Sequence, residues 1–277
     1  MVADPTAATA IVWSGGRPPE IRVVLHPGIE WVQLDSAGVD RWVGEGLVDP
    51  ERRWTAVHGA YAPDVAEHAV AFLLAAARRL PQAARRNEWR TLDAEPLARR
   101  TVGLVGAGSI GRETIARLRP FGASVLALTR SGRAVDGADR SFGPGGLDEL
   151  LHVSDYVVLA LPLTPETRGL IGERELDLVG ARGWIVNVGR GPLVDTDALV
   201  RALTERRIAG ACLDVTDPEP LPAGHPLWRF ENVLITPHVA NPPGTIHEPL
   251  ARLVEENVRR FAAGRDLLGE IDPERGY

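Results

Sequence analysis

Val102-Gly103-Leu104-Val105-Gly106-Ala107-Gly108-Ser109-Ile110-Gly111 is the stretch that decides how this chain folds. Four residues of buried-strand character run into a glycine-rich turn, and an amphipathic helix is expected over 110–118. The G-x-G-x-x-G spacing alone recurs by chance, but its place between a strand and a helix gives it weight. Each glycine there has its own task. Gly106 permits the tight turn, Gly108 lets the backbone approach a pyrophosphate, and Gly111 lets the helix pack closely on the strand. The helix start at Ser109 and Ile110 would meet the phosphates with free N–H groups and the positive end of its dipole.

Working outward, apolar runs at 125–128, 156–161, 184–188, 210–215 and 233–235 join 102–105 in a ladder of at least six expected strands. Helical patterns at 147–151 and 197–205 lie between them. That alternation is the signature of an α/β fold with a doubly wound parallel sheet. Upstream, short extended segments are expected at 10–13 and 31–34, separated by a loop rich in glycine and proline. An alanine-rich helix over 64–80 follows, with Val65, Ala69, Phe72, Leu73 and Ala76 on one face. Asp64 and Glu67 suggest a capping box at its start. The last helix is expected over 250–263.

Bulk properties exclude several function classes. A chain of 277 residues fills one large α/β unit or two modest ones. A net charge of −6 gives no electrostatic reason to expect nucleic acid or an anionic membrane as partner. All 31 basic side chains are arginines, which excludes Schiff-base lysine chemistry and a phosphate-binding P-loop lysine. The single cysteine, Cys212, lies in an apolar run and cannot form an internal disulfide, so a reducing, cytoplasmic setting is expected. No apolar run approaches the ~18 residues needed to cross a bilayer, and no basic leader precedes an apolar core. Among the histidines and acids no spacing suggests a metal site, and none is assigned.

The second strand of a dinucleotide-binding unit usually ends in an acidic residue that holds the ribose 2′-OH. Here it ends in Thr129-Arg130-Ser131, with Arg133 close behind. A guanidinium flanked by hydroxyls suits a 2′-phosphate through charge-assisted hydrogen bonds. NADP is therefore expected as cofactor, NADPH ahead of NADH, with NAD as the weaker alternative.

Three polar residues sit where later strands end. Asn187-Val188-Gly189-Arg190-Gly191 closes a strand with glycines around one arginine, whose fork matches a carboxylate and whose flanking glycines leave room for a ligand. Glu219 follows another strand in the proline-bounded loop Asp217-Pro218-Glu219-Pro220, and Thr236-Pro237-His238 ends the last strand. Open α/β sheets bind ligands beyond the carboxyl ends of their strands, so the three should cluster there. Each alone could be a surface arginine, a solvated acid or a structural histidine. The other histidines, His26, His58, His68, His152, His225 and His247, lack such context and are expected to be structural or exposed.

These segments, with Ser36-Ala37-Gly38-Val39-Asp40, Val65-Ala66-Glu67 and Leu161-Pro162-Leu163-Thr164-Pro165-Glu166-Thr167, resemble the D-isomer-specific 2-hydroxyacid dehydrogenase family from about residue 31 to the C-terminus. The Thr129-Arg130-Ser131 turn is similar to the NADPH-dependent glyoxylate/hydroxypyruvate reductase branch. The resemblance implies Arg190, Glu219 and His238 as catalytic residues and Asp214 as a contact to the nicotinamide carboxamide. It puts Pro162, Thr167 and Val188 on the cofactor and the backbone around Ala37 and Gly38 on the substrate carboxylate. It further implies a Rossmann cofactor domain over 81–243 and a smaller flavodoxin-like substrate domain from 1–80 plus 244–277, with a cleft between them. A homodimer built partly by the alanine-rich helix is implied as well. Two departures from the family pattern stand out: a short amino-terminal region lacking the first strand and helix, and Ala160 where many relatives carry histidine.

The implied chemistry is hydride transfer between NADP(H) and a small 2-oxo acid. Arg190 would hold the carboxylate, His238 would donate a proton, and Glu219 would favour the charged imidazole. Glu219→Gln is expected to move the pH–rate profile for reduction to lower pH. Phosphite- or formate-type dehydrogenation on the same fold is an alternative, formate being disfavoured because its family pairs the histidine with glutamine. A non-catalytic NADP-binding sensor or corepressor is a third. Trp42, Tyr61 and Trp228 are candidates for lining the substrate pocket, with core packing the simpler expectation.

Overall fold

The computed structural model describes residues 5–15, 17–242 and 247–273. The chain divides into two compact units, Met1–Tyr61 with Pro242–Tyr277, and Ala62–Asn241. The side chain of His247 and the expected junction at 243/244 lie outside the described residues.

In the first unit, strands β1 (Ala10–Trp13), β2 (Trp31–Leu34) and β3 (Arg53–Thr55) form a parallel sheet in that order, and helix α1 (Asp40–Gly44) links the last two. Ile21, Val32, Leu34, Trp42 and Trp54 fill its core on one side. The late helix of this unit, His247–Ala262, is anchored by a buried polar cluster. The Asn257 amide donates to Gln33 Oε1 and to the Leu268 carbonyl, both at 2.9 Å, and Thr55 donates to the same Gln33 oxygen at 2.9 Å. A buried amide left unpaired here would be costly, so the cluster fixes the helix in register with the sheet.

The second unit holds α2 (Ala62–Ala77), α3 (Leu80–Arg85), β4 (Thr101–Val105), α4 (Ser109–Leu118), β5 (Ser124–Leu128), β6 (Arg140–Phe142), α5 (Leu147–Val153), β7 (Tyr156–Leu159), α6 (Glu173–Val179), β8 (Trp184–Asn187), α7 (Thr196–Thr204), β9 (Gly210–Leu213) and β10 (Val233–Ile235). The seven strands run in the order β10-β9-β8-β7-β4-β5-β6, every pair parallel. Strands β7, β8 and β9 are buried along their whole length, which is why they read as continuous apolar runs and not as alternating patterns. Successive residues still face opposite layers. Ala211 and Leu213 join the core with α5, α6 and α7, whereas the Cys212 thiol points at the Phe72 carbonyl of α2, 3.7 Å away. Burial pushes that thiol far above its ordinary range and leaves it inert.

Two expectations shift. Helix α2 starts at Ala62, so Asp64 lies inside the first turn and is no capping residue; its charge complements the helix dipole there instead. The unit boundary falls at Tyr61/Ala62 and not at residue 80. The reason is packing: small alanines let α2 lie close against α4, and its apolar side chains also meet β8 and β9. Those faces are buried within the second unit.

Candidate active site

Because the seven strands are parallel, all their carboxyl ends share one edge. The order of connection reverses between β4 and β7, and the turn at 106–111 opens at that switch point. Gly106 has φ 98°, and a Cβ there would lie 2.6 Å from the Ala160 carbonyl oxygen, just beyond β7. A Cβ on Gly111 would lie 2.5 Å from the Gly106 oxygen, so that glycine serves helix–strand packing. Gly108 differs from both. Its φ of −73° suits any residue, and a Cβ there would meet nothing within 4 Å. Gly108 also brings no side-chain cap to α4, so the first N–H groups, at Ser109 and Ile110, are left for an external acceptor. This combination fits a dinucleotide pyrophosphate.

Arg190 follows β8 in a braced turn. The Asn187 side chain accepts from Gly189 N at 3.0 Å and donates to the Arg190 carbonyl at 2.9 Å. The flanking glycines do not make room for a ligand, contrary to the expectation from sequence. A Cβ on Gly191 would collide with the Thr216 carbonyl in the loop after β9. A Cβ on Gly189 would press on the Leu193 side chain at 2.9 Å and the Leu161 oxygen at 3.0 Å. Gly191 therefore locks the arginine turn onto the loop that carries Glu219.

Glu219 and His238 meet directly: Nδ1 of the imidazole lies 2.7 Å from Glu219 Oε1. Both side chains are partly exposed, at 46% for the histidine and 34% for the acid, so the pair is reachable. A carboxylate accepts only, so Nδ1 carries its proton toward Glu219 and Nε2 is left to face a reactant. His238 has φ 54°, a left-handed conformation that is strained for any residue with a Cβ. What holds it there is Asp214, at the end of β9. The Asp214 carbonyl accepts from His238 N at 2.8 Å, and its carboxylate accepts from Val239 N at 2.9 Å and Ala240 N at 3.0 Å. The carboxylate is buried and also takes the Thr236 hydroxyl. Its shaping of this turn is a duty that sequence reasoning missed.

His68, set aside on sequence grounds, belongs to the same cluster: its Nε2 lies 3.1 Å from Thr236 Oγ1 and 3.5 Å from Asp214 Oδ1. The remaining expected residues fall as follows. Thr129, Arg130 and Ser131 form the turn after β5, with Thr129 N donating to the Phe142 carbonyl at 2.9 Å and Arg130 and Ser131 exposed. Thr167 donates its hydroxyl to the Pro162 carbonyl at 2.8 Å, closing the turn after β7. Val188 is buried and continues β8 with a bond to Leu159. In the other unit, Ala37 and Gly38 lie between β2 and α1. Trp42 is core there, 6.4 Å from the Trp54 ring, and Tyr61 donates to the Asp35 carbonyl at 2.6 Å. Trp228 donates from its indole to the Pro222 carbonyl at 3.0 Å and stays exposed.

The family described as D-isomer specific 2-hydroxyacid dehydrogenase, NAD binding domain, matches residues 70–240. The chain belongs to this family. Within the D-isomer-specific 2-hydroxyacid dehydrogenases it is 38% identical over 262 residues to a glyoxylate reductase of Thermofilum pendens, a match covering 89% of this chain and 74% of that protein. A D-isomer-specific 2-hydroxyacid dehydrogenase from Xanthobacter autotrophicus Py2, solved with NADPH and MES, is 34% identical with a TM-score of 0.88. That match covers 100% of this chain and 87% of the other. The NADPH-dependent glyoxylate/hydroxypyruvate reductase of Sinorhizobium meliloti, solved with NADP and sulfate, is 27% identical with a TM-score of 0.84, covering 98% and 87% of the two chains. The protein is thus an NAD(P)-dependent 2-hydroxyacid dehydrogenase of α/β, Rossmann type.

Proposed function

We propose that this dehydrogenase works as an NADPH-dependent reductase of small 2-oxo acids, glyoxylate or hydroxypyruvate in class, forming the 2-hydroxy acid, as the D isomer wherever C2 becomes a stereocentre. The observation that carries this reading is the 2.7 Å contact between His238 and Glu219, on the sheet edge that also bears Arg190 and the glycine turn. Arg190 binds the substrate carboxylate in a fork and polarises the neighbouring carbonyl. His238 gives the proton from Nε2 to the oxygen on C2, while Glu219 keeps the ring turned by holding Nδ1. When bound, NADPH supplies the hydride that C2 accepts. The first turn of α4 holds its pyrophosphate, Thr129, Arg130 and Ser131 its 2′-phosphate, and Pro162, Thr167, Val188 and Asp214 its remaining flank. Ala37 and Gly38 are assigned to the substrate carboxylate. A cytoplasmic homodimer completes the reading. The unpaired, buried Cys212 supports the reducing compartment, the exposed Leu80 and Trp89 support assembly, and among the described residues no helix is long and apolar enough to cross a membrane.

The test is NADPH oxidation against a panel of 2-oxo acids, with phosphite and formate run in the oxidative direction and NADH in parallel. Turnover with glyoxylate or hydroxypyruvate is expected. His238→Ala should then lower kcat by about 10²–10⁴-fold while leaving NADPH affinity in place. Tight NADPH binding without turnover of any 2-oxo acid would favour a sensor, and turnover confined to phosphite or formate would reassign the substrate.

A further inference from the structure

Behind the His238 turn lies a polar cluster in which the proposed chemistry gives a part to Asp214 alone. Helix α2 presents His68 to the ends of β9 and β10, where Nε2 sits 3.1 Å from Thr236 Oγ1 and 3.5 Å from Asp214 Oδ1. Only 21% of its side chain is exposed, against 1% for Asp214, and the ring stands edge-on to Phe72 with centroids 4.4 Å apart. Proton counting orients the cluster. Both Asp214 oxygens accept backbone N–H groups, and Oδ1 also takes the single hydroxyl proton of Thr236. Thr236 Oγ1 then has only lone pairs to offer His68, and Nε2 of His68 must carry hydrogen.

We infer that His68 is a positioning residue for His238, acting through Thr236 and Asp214. This role rests on the reductase reading above and passes outward along the hydrogen bonds. His68 donates to Thr236, which turns the hydroxyl proton onto Asp214 Oδ1. That oxygen also takes Val239 N at 2.9 Å, and Oδ2 takes Ala240 N at 3.0 Å. Two amides immediately after His238 are thereby fixed, and the Asp214 carbonyl fixes the amide of His238 itself at 2.8 Å. A left-handed φ of 54° persists only where surrounding bonds over-determine it. Freed from its donor, the Thr236 hydroxyl can rotate and the carboxylate can tilt, and the turn relaxes toward an ordinary conformation. The imidazole would then leave Glu219, since side chain and backbone move together.

The substitutions His68→Leu and His68→Gln separate donor from bulk. Leucine fills the space against Phe72 without an N–H, whereas the glutamine amide can reach Thr236 as Nε2 does. In His68→Leu, kcat for 2-oxo acid reduction should fall about tenfold or more, because sub-ångström misplacement of an acid is costly, with KM for the 2-oxo acid within about twofold. Hydrogen exchange of the ligand-free protein should accelerate on the order of tenfold in residues 236–241, with the rest of β4 to β9 unchanged. His68→Gln should restore both readouts. Wild-type exchange and turnover in His68→Leu would overturn the inference. So would a His68→Gln that behaves like His68→Leu, since bulk and not the donor would then be at issue. Should the wild-type enzyme reduce no 2-oxo acid at all, the reductase reading falls, while the exchange measurement still decides the role of His68.

Discussion

Two glycine-containing turns, at 106–111 and 189–191, leave strands on either side of β7, and their glycines answer to different masters. In the first, Gly108 has an ordinary φ and open space where a side chain would stand, so nothing inside the protein requires glycine there. In the second, Gly191 has the Thr216 carbonyl where its side chain would stand, so the protein's own backbone requires it. Glycine beside a functional residue can thus mean room for a ligand or room for another loop. Only the tertiary structure distinguishes the two.

The largest effect should come from adding one methyl to the second turn. Gly191→Ala forces the 189–191 and 216–219 segments apart, which displaces Arg190 and the loop of Glu219 together. Overpacking against backbone costs ~3 kcal/mol or more, and Tm should fall by roughly 10 °C on the size scaling of domains this large. Activity should drop with it. Circular dichroism melts read the first effect, and an unchanged Tm would mean that the loops can part freely and that the comparison fails.

The same methyl on the first turn should leave stability alone. Gly108→Ala sits at a permitted backbone conformation, so Tm should hold or rise slightly, by the ~0.4–1 kcal/mol that alanine gains over glycine through the unfolded chain. KM for NADPH should rise by as much as about 10²-fold, because the methyl stands where the pyrophosphate must approach. Melts with and without NADPH separate the two. A variant that binds NADPH as tightly as the wild type would remove the ligand-based explanation for this glycine.

The contrast also marks what could be read from the chain and what could not. Segments 10–13, 31–34 and 233–235 coincide with observed strands because short runs that are apolar, or apolar but for Gln33, between turn signals admit little else. Strands β3 and β6, Arg-Trp-Thr and Arg-Ser-Phe, are three residues long with a charge at one end, so no periodicity could announce them. Arg190, Glu219 and His238 were legible for a simple reason: each lies in the loop that leaves an apolar strand, and parallel strands bring such loops to one edge. His68 was not. Its meaning depends on α2 packing across β8 and β9, which brings it to Thr236, 168 residues away along the chain. The same blindness put the unit boundary at residue 80, since an alanine-rich helix does not say which sheet it will cover.

The smallest effect concerns the turn after β5, a third strand end. Arg130 and Ser131 are exposed, and Gly132, at φ 65°, closes their turn by donating its N–H to the Thr129 carbonyl at 3.3 Å. Whatever selectivity they give must come from charge and hydrogen bonding alone. A guanidinium–phosphate bond contributes ~1.5–3 kcal/mol, and exposure puts this one near the lower end, so Arg130→Ala should cut the NADPH-over-NADH ratio of kcat/KM by about tenfold. The loss should shrink further in high salt, as screening weakens an exposed ion pair. NADH kinetics and Tm should not move, because the side chain supports no core. An unchanged cofactor ratio would assign discrimination to Arg133 or to backbone donors, and the strand-end logic that located Arg190 and His238 would not extend to the 2′-phosphate.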